Sequence, residues 1–176
     1  LHGWMVVALA TFGGAAAWAY DWRAGLLVTP FVLAILGGRQ LGLSILMHDG
    51  AHGLLHPNRK TNNWMGQWPT GAATGSDLFA YRAYHLTHHK FTQQPEDPDL
   101  ALSKPFPTTR ASLWRKVVRD LTGQTAFLRR GEQIRRAPGP ADAPIAAQLE
   151  TLWRTEKGPL IVNIVLLGGL SAAGYW

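Results

Sequence analysis

His48 and His52 in HDGAH, together with His85, His88 and His89 in HLTHH, account for five of the chain's seven histidines. Spacings of i, i+4 and of i, i+3, i+4 put each set on one face of a helix, where residues three and four apart are neighbours. Three adjacent imidazoles repel one another once protonated and resist desolvation unless a cation sits among them. The chemistry that follows is metal ligation. Neutral imidazole suits iron, copper, nickel or zinc; the absence of cysteine argues against soft thiolate sites, and so much nitrogen argues against calcium or magnesium. Iron and zinc are the main candidates.

Several familiar metal arrangements fit less well. A zinc protease of the HExxH type uses glutamate as general base, and that position is Asp49 here, with shorter reach; the HLTHH group would also be surplus to one tetrahedral zinc. Covalent haem attachment needs CxxCH, which is missing. A non-catalytic protein that passes or senses zinc is a further class, although transporters normally place their ligands within spans rather than beside them. Oxygen activation by iron is the chemistry that many imidazoles near lipid favour, because breaking an unactivated methylene C–H bond is beyond the acid–base repertoire of side chains.

Three apolar blocks position these histidines. Residues 4–20 carry no charge and residues 24–47 only Arg39, each close to the ~20 residues needed to cross a hydrocarbon core. A third block, residues 159–176, runs to the end of the sequence. The expected fold class is therefore all-α, a multi-pass helical membrane protein whose histidine-bearing helices lie in a hydrophilic region, residues 48–157. Trp18, Tyr20 and Trp22 stand where an aromatic belt would meet the far interface. All Lys and Arg except Arg23 and Arg39 fall in the 48–157 region, so the net charge of +6 points to cytoplasmic placement of the histidines rather than to nucleic acid. Absence of cysteine is compatible with a reducing compartment. No basic region precedes the first apolar block, so it reads as a span and not as a signal peptide.

Within that region, a continued second helix would align His48, His52 and His56 until Pro57. The TNNWMGQWPTGAATG segment is too broken for a span and reads as re-entrant or interfacial. Ser76 offers an N-cap for a helix over residues 78–91 that bears HLTHH, with Asp77 in its first turn. Residues 111–121 form an amphipathic helix, Leu113, Trp114, Val117, Val118 and Leu121 opposite Arg115, Lys116 and Arg119, suited to an anionic membrane surface. Residues 137–144 are a Pro-rich linker, followed by a short helix leading back to the bilayer.

HDGAH, the intervening RKTNNWMGQWP, HLTHH and the following QQPEDPDL resemble the membrane fatty acid desaturase family, with its HxxxH and HxxHH boxes; carotenoid ketolases and alkane hydroxylases share the pattern. The resemblance implies an oxidoreductase with a diiron, non-haem centre and dioxygen as co-substrate. It further implies His48, His52, His85, His88 and His89 as metal ligands, a lipid or acyl substrate, and an electron donor such as ferredoxin or cytochrome b5. Desaturation of a fatty acyl chain is the expected reaction, with lipid hydroxylation or carotenoid ketolation as alternatives. The family also has a third histidine box after a second hairpin of spans. No histidine follows His89, so the chain is expected to be a partial domain, inactive by itself.

Around the ligands, Asp49, Asp97 and Asp99 are candidates to accept N–H bonds from the imidazoles. Asn62 or Asn63 is a candidate partner for a metal-bound water, or a plain turn residue. Trp64, Trp68, Phe79, Tyr81 and Tyr84 are candidates for an acyl tunnel or for interfacial packing. Arg39 and Gln40 must avoid lipid tails, and His2 flanks a span.

Overall fold

The computed structural model describes residues 1–104 and 106–175, and every regular element among them is helical. The expected all-α class is what is observed. The helices group into two compact units, one comprising Leu1–Arg82 with the residues from Lys157 onward, the other Ala83–Glu156.

In the first unit, α1 (His2–Tyr20) and α2 (Trp22–His52) form a hairpin turning on a single residue, Asp21. Asp21 is extended, and its carboxylate accepts from the backbone N–H of Arg23 and Ala24, satisfying two donors that the start of α2 leaves without helical partners. Gly25 lets the hairpin close, since a Cβ there would stand 2.3 Å from the Trp18 ring. The indole Nε1 of Trp18 then donates to Thr29 Oγ1 at 3.0 Å.

Both helices are long and apolar enough to cross a membrane, with mean hydropathy 1.3 and 1.6, and only 6% of each apolar window is buried by the rest of the chain. A soluble core helix would be mostly covered, so this exposure suits contact with lipid. The 31 residues of α2 rise about 46 Å at ~1.5 Å each, against a hydrocarbon core of ~30 Å. The helix is therefore long enough to carry its last turns well beyond the apolar layer.

α2 stops at His52 because Gly53 adopts the left-handed conformation, φ 82°, and folds its N–H back onto the carbonyls of Asp49 and Gly50. The expected stripe through His56 is corrected accordingly. His56 lies in the loop, where its Nδ1 accepts from the Asn58 N–H at 2.9 Å.

Asn58 also caps α3 (Arg59–Gly66), which runs into a π-helical turn, Gln67–Gly71, and a 3₁₀ turn, Ala72–Thr74. The segment read as re-entrant or interfacial is thus wound throughout. Pro69 lacks an N–H for regular α pairing, and Thr70 Oγ1 donates to the Gly66 carbonyl at 2.6 Å within the widened turn. Trp4 Nε1 ties α1 to this turn through the Pro69 carbonyl, 2.8 Å away. Gly50 and Gly66 allow α2 and α3 to approach closely, because a Cβ on Gly50 would lie 3.0 Å from the Gly66 Cα. Met47, Ala51 and the fully buried Leu78 form the core at this crossing, with Tyr81 packed against them.

α4 (Leu78–Phe91) matches the expected bounds of the HLTHH helix. Its cap is Asp77 rather than Ser76: Asp77 Oδ1 accepts from the Ala80 N–H at 2.8 Å, and Gln67 Oε1 accepts from the Leu78 N–H at 2.7 Å. Residues beyond Arg82 belong to the second unit, with α5 (Leu100–Ser103), α6 (Arg110–Leu121) and α7 (Gln124–Arg136). α6 is the expected amphipathic helix; α7 was not foreseen. The Pro-rich linker is pinned by Gln148 Nε2, which donates to the carbonyls of Ala141 and Ala143.

α8 (Ile145–Ala172) joins the expected short helix and the third apolar block into one helix through Gly158 and Pro159. Those two residues mark close packing rather than a break. A Cβ on Gly158 would meet that of Ala72 at 2.7 Å, and Pro159 is buried. Trp176, the last residue of the expected 159–176 block, lies outside the described residues.

Candidate metal centre

His48 and His52 occupy the last turn of α2, their ring centroids 4.8 Å apart. Asp49 Oδ1 lies 3.2 Å from His48 Nδ1. The backbone of this turn is held from outside the helix. Asn62, 1% exposed, donates to the Gly50 carbonyl at 2.9 Å and accepts from the Leu55 N–H at 3.1 Å. Arg82 donates through Nε to the Ala51 carbonyl at 2.9 Å, and through Nη2 to the Gly50 carbonyl at 2.8 Å and Asn63 Oδ1 at 2.7 Å. The Ala51 carbonyl, which the helix end leaves without a backbone partner, is thereby satisfied, and the Gly50 carbonyl gains two donors beyond the Gly53 N–H, which braces the histidine turn against fraying. Burial, reinforced by the nearby Arg59 charge, lowers the Arg82 pKa from its ordinary value. An open cavity of about 240 Å³ lies beside His52, with His56, Arg59, Asn63 and Arg82 in its wall.

On α4, His85 and His89 point their Nε2 atoms at each other, 2.9 Å apart, with rings nearly perpendicular. Two such lone pairs require a proton or a cation between them. Two nitrogens each about 2.1 Å from one ion and roughly 90° apart would stand about 3.0 Å from each other, so this separation fits adjacent ligands of a single metal.

His88 is oriented differently. Its Nδ1 is 2.7 Å from Asp97 Oδ1 and 3.7 Å from Asp99 Oδ2. Asp97 is 5% exposed and also accepts from the N–H of Gln93 and of Asp99, at 2.9 and 2.8 Å. Burial opposes its ionisation, but the bonds from His88, Gln93 and Asp99 outweigh that and hold its carboxyl below the usual range. The same hydrogen bond, together with the charges of Asp97 and Asp99, raises the His88 pKa against its own desolvation. A carboxylate on Nδ1 fixes the tautomer with the Nε2 lone pair available for a metal. The geometry around Asp97 is that of a ligand-orienting carboxylate. Gln93 takes a left-handed backbone, φ 62°, which turns its N–H toward Asp97 just after α4 ends.

The five histidines expected as ligands therefore occupy the last turn of one helix and the second half of another. Among the described residues, His48 with His52 on α2, and His85 with His89 on α4, each form a pair of neighbouring imidazoles that could ligate a metal ion. Asp99 serves chiefly as acceptor for the Tyr84 hydroxyl, and burial with this carboxylate pushes the Tyr84 pKa up to about 12. Asn62 is a backbone clamp rather than a partner for metal-bound water, and Tyr81 packs in the core. Trp64, Phe79 and Tyr84 are exposed, and Trp68 receives the Lys157 ammonium at 6.0 Å from its ring. Sequence reasoning missed Arg82. The available signal was a lone cation in the otherwise uncharged LFAYRAY run, three residues before His85.

A sequence model of the family described as "Fatty acid desaturase" matches residues 21–176. The β-carotene ketolase of Paracoccus sp. (strain PC1) is 33% identical over 89 residues, 50% of this chain and 37% of the ketolase, so the similarity spans well under half of that relative. No solved structure matches the chain. The helical histidine motifs and a family match that extends from the α1–α2 turn to the end of the chain lead to one assignment: the chain belongs to the fatty acid desaturase family.

Proposed function

We propose that His48, His52, His85, His88 and His89 together hold non-haem iron, two ions in the complete centre, and that the chain serves the oxygen-dependent desaturation of a fatty acyl chain. The observation that carries this reading is the α4 triplet, with His85 and His89 nitrogens at ligand spacing and His88 aimed by a buried Asp97. Iron bound there would supply the redox chemistry, in which dioxygen takes two hydrogen atoms from the substrate together with two electrons from a donor and two protons from solvent, giving two waters and a double bond.

The chain's own groups perform the positioning. Asp97 keeps the His88 proton on Nδ1, and Arg82 with Asn62 keeps the His48–His52 turn wound. α1 and α2 cross the bilayer, with the positively charged histidine region on the cytoplasmic side. An acidic protein such as a ferredoxin, or cytochrome b5, delivers electrons to that basic region.

Similarity to a β-carotene ketolase favours a second reading, in which the same centre oxygenates a carotenoid ring carbon. Expression of the native gene product in two hosts, one with a defined saturated acyl pool and one accumulating β-carotene, distinguishes them. New alkenes in the lipid methyl esters support desaturation, and keto groups on the carotenoid support ketolation. Tightly bound zinc with no oxidised product in either host defeats both.

A further inference from the structure

α6 and α7 meet at Gly123, whose left-handed backbone, φ 76°, turns the chain between them. Each helix is two-faced. On α6, Leu113, Trp114, Val118 and Leu121 share a side opposite Arg115, Lys116 and Arg119; on α7, Phe127 and Ile134 share a side opposite Arg129 and Arg136. The apolar sides are not packed away. Trp114 is 67% exposed, Leu121 82% and Phe127 81%.

The charge on this segment is one-sided. Between Arg110 and Arg136 the sequence holds eight Lys and Arg but only Asp120 and Glu132 as acids, and Arg130 pairs outside the segment with Glu156 at 2.7 Å. Asp120 already pairs with Lys116 and accepts from Thr125, which holds its carboxyl below the usual range, and Glu132 already pairs with Arg136. A surplus of cations remains along the rims of an uncovered apolar stripe.

We propose that the α6–α7 hairpin lies on an anionic phospholipid leaflet. An acidic protein would neutralise the arginines but leave Leu121 and Phe127 wet. A bilayer surface serves both chemistries at different depths: the apolar side chains enter the headgroup–acyl boundary while Lys and Arg reach up to phosphates. Each cation near an anionic surface contributes about 1 kcal/mol, so the surplus is enough to make the contact depend on lipid charge and on salt.

The chain has no cysteine, so single-cysteine variants report cleanly. Leu121→Cys, Phe127→Cys and, as the charged-face reference, Arg119→Cys are labelled with a polarity-sensitive fluorophore. The full chain is then placed in nanodiscs of phosphatidylcholine, alone or mixed with phosphatidylglycerol, and circular dichroism confirms unchanged helix content. The expected result is a blue shift and quenching by lipid-borne spin labels at 121 and 127, present with phosphatidylglycerol and lost in high salt or in Arg129→Glu/Arg135→Glu, with the label at 119 remaining aqueous. Labels at 121 and 127 as wet as that at 119 in the anionic discs overturn the proposal. So does burial that appears in detergent without lipid and grows with protein concentration, which would assign the surface to a second copy of the chain.

Discussion

His88 and Asp97 show how one hydrogen bond sets both a ring's orientation and its titration. With Asp97 removed, the imidazole can rotate and exchange tautomers, so if His88 is a ligand as proposed, Asp97→Asn is expected to weaken metal retention by about 10- to 100-fold, measured by elemental analysis after dialysis against a chelator. In the metal-free protein the signs are definite. The His88 pKa is raised, so its share of stability is fully present below pH 6.5 and is lost as pH rises through the folded value. The Asp97 pKa is lowered, so its share is fully present above 3.8 and is lost as pH falls through the folded value. The pair therefore contributes in full between pH 3.8 and 6.5. Denaturation midpoints of metal-free protein across that range should show the plateau, and Asp97→Asn should flatten it; an unchanged profile would remove this pair from the stability of the fold.

At the level of helices, the end of α2 is joined to α4 by Arg82 and to α3 by Asn62, around two carbonyls. Asn62→Ala removes the acceptor of the Leu55 N–H and one of three donors to the Gly50 carbonyl, at an expected cost of about 1–3 kcal/mol in unfolding free energy. Gly50→Val drives a side chain into the Gly66 backbone and should cost a further ~1–3 kcal/mol by forcing α2 and α3 apart. Both are read as shifts in thermal midpoint in detergent.

The histidine helices themselves were legible from local spacing, because i, i+3, i+4 repetition is a property of neighbours in sequence. The two long apolar helices were legible from composition. Arg82 was not, since its acceptors are contributed by residues 31 and 32 positions earlier. The π-helical turn escaped for a related reason: Trp68, Pro69 and Gly71 look like a broken loop until Gly66, Met47 and Trp4 pack around them. Likewise α7 was hidden by its arginines and Gly131, and the short helix before Gly158 gave no sign of continuing into α8.

For the whole chain, the proposed topology places the Asp21 turn and the Asn58 loop on opposite sides of the bilayer. Cysteine at Arg23 or at Asn58, both exposed, should react with a membrane-impermeant maleimide from opposite faces, Asn58→Cys only from the cytoplasmic side. Same-side labelling would refute the span assignment. In that topology α2 is a single mast stepped at Asp21, continuous through Pro30. A thicker bilayer would swallow more of its length and bring His48 and His52 down toward the lipid, whereas a thinner one would lift them clear. Were the proposed centre to act on an acyl chain, membrane thickness would set which carbon lies level with it, making product position a ruler reading taken against the host's own lipids.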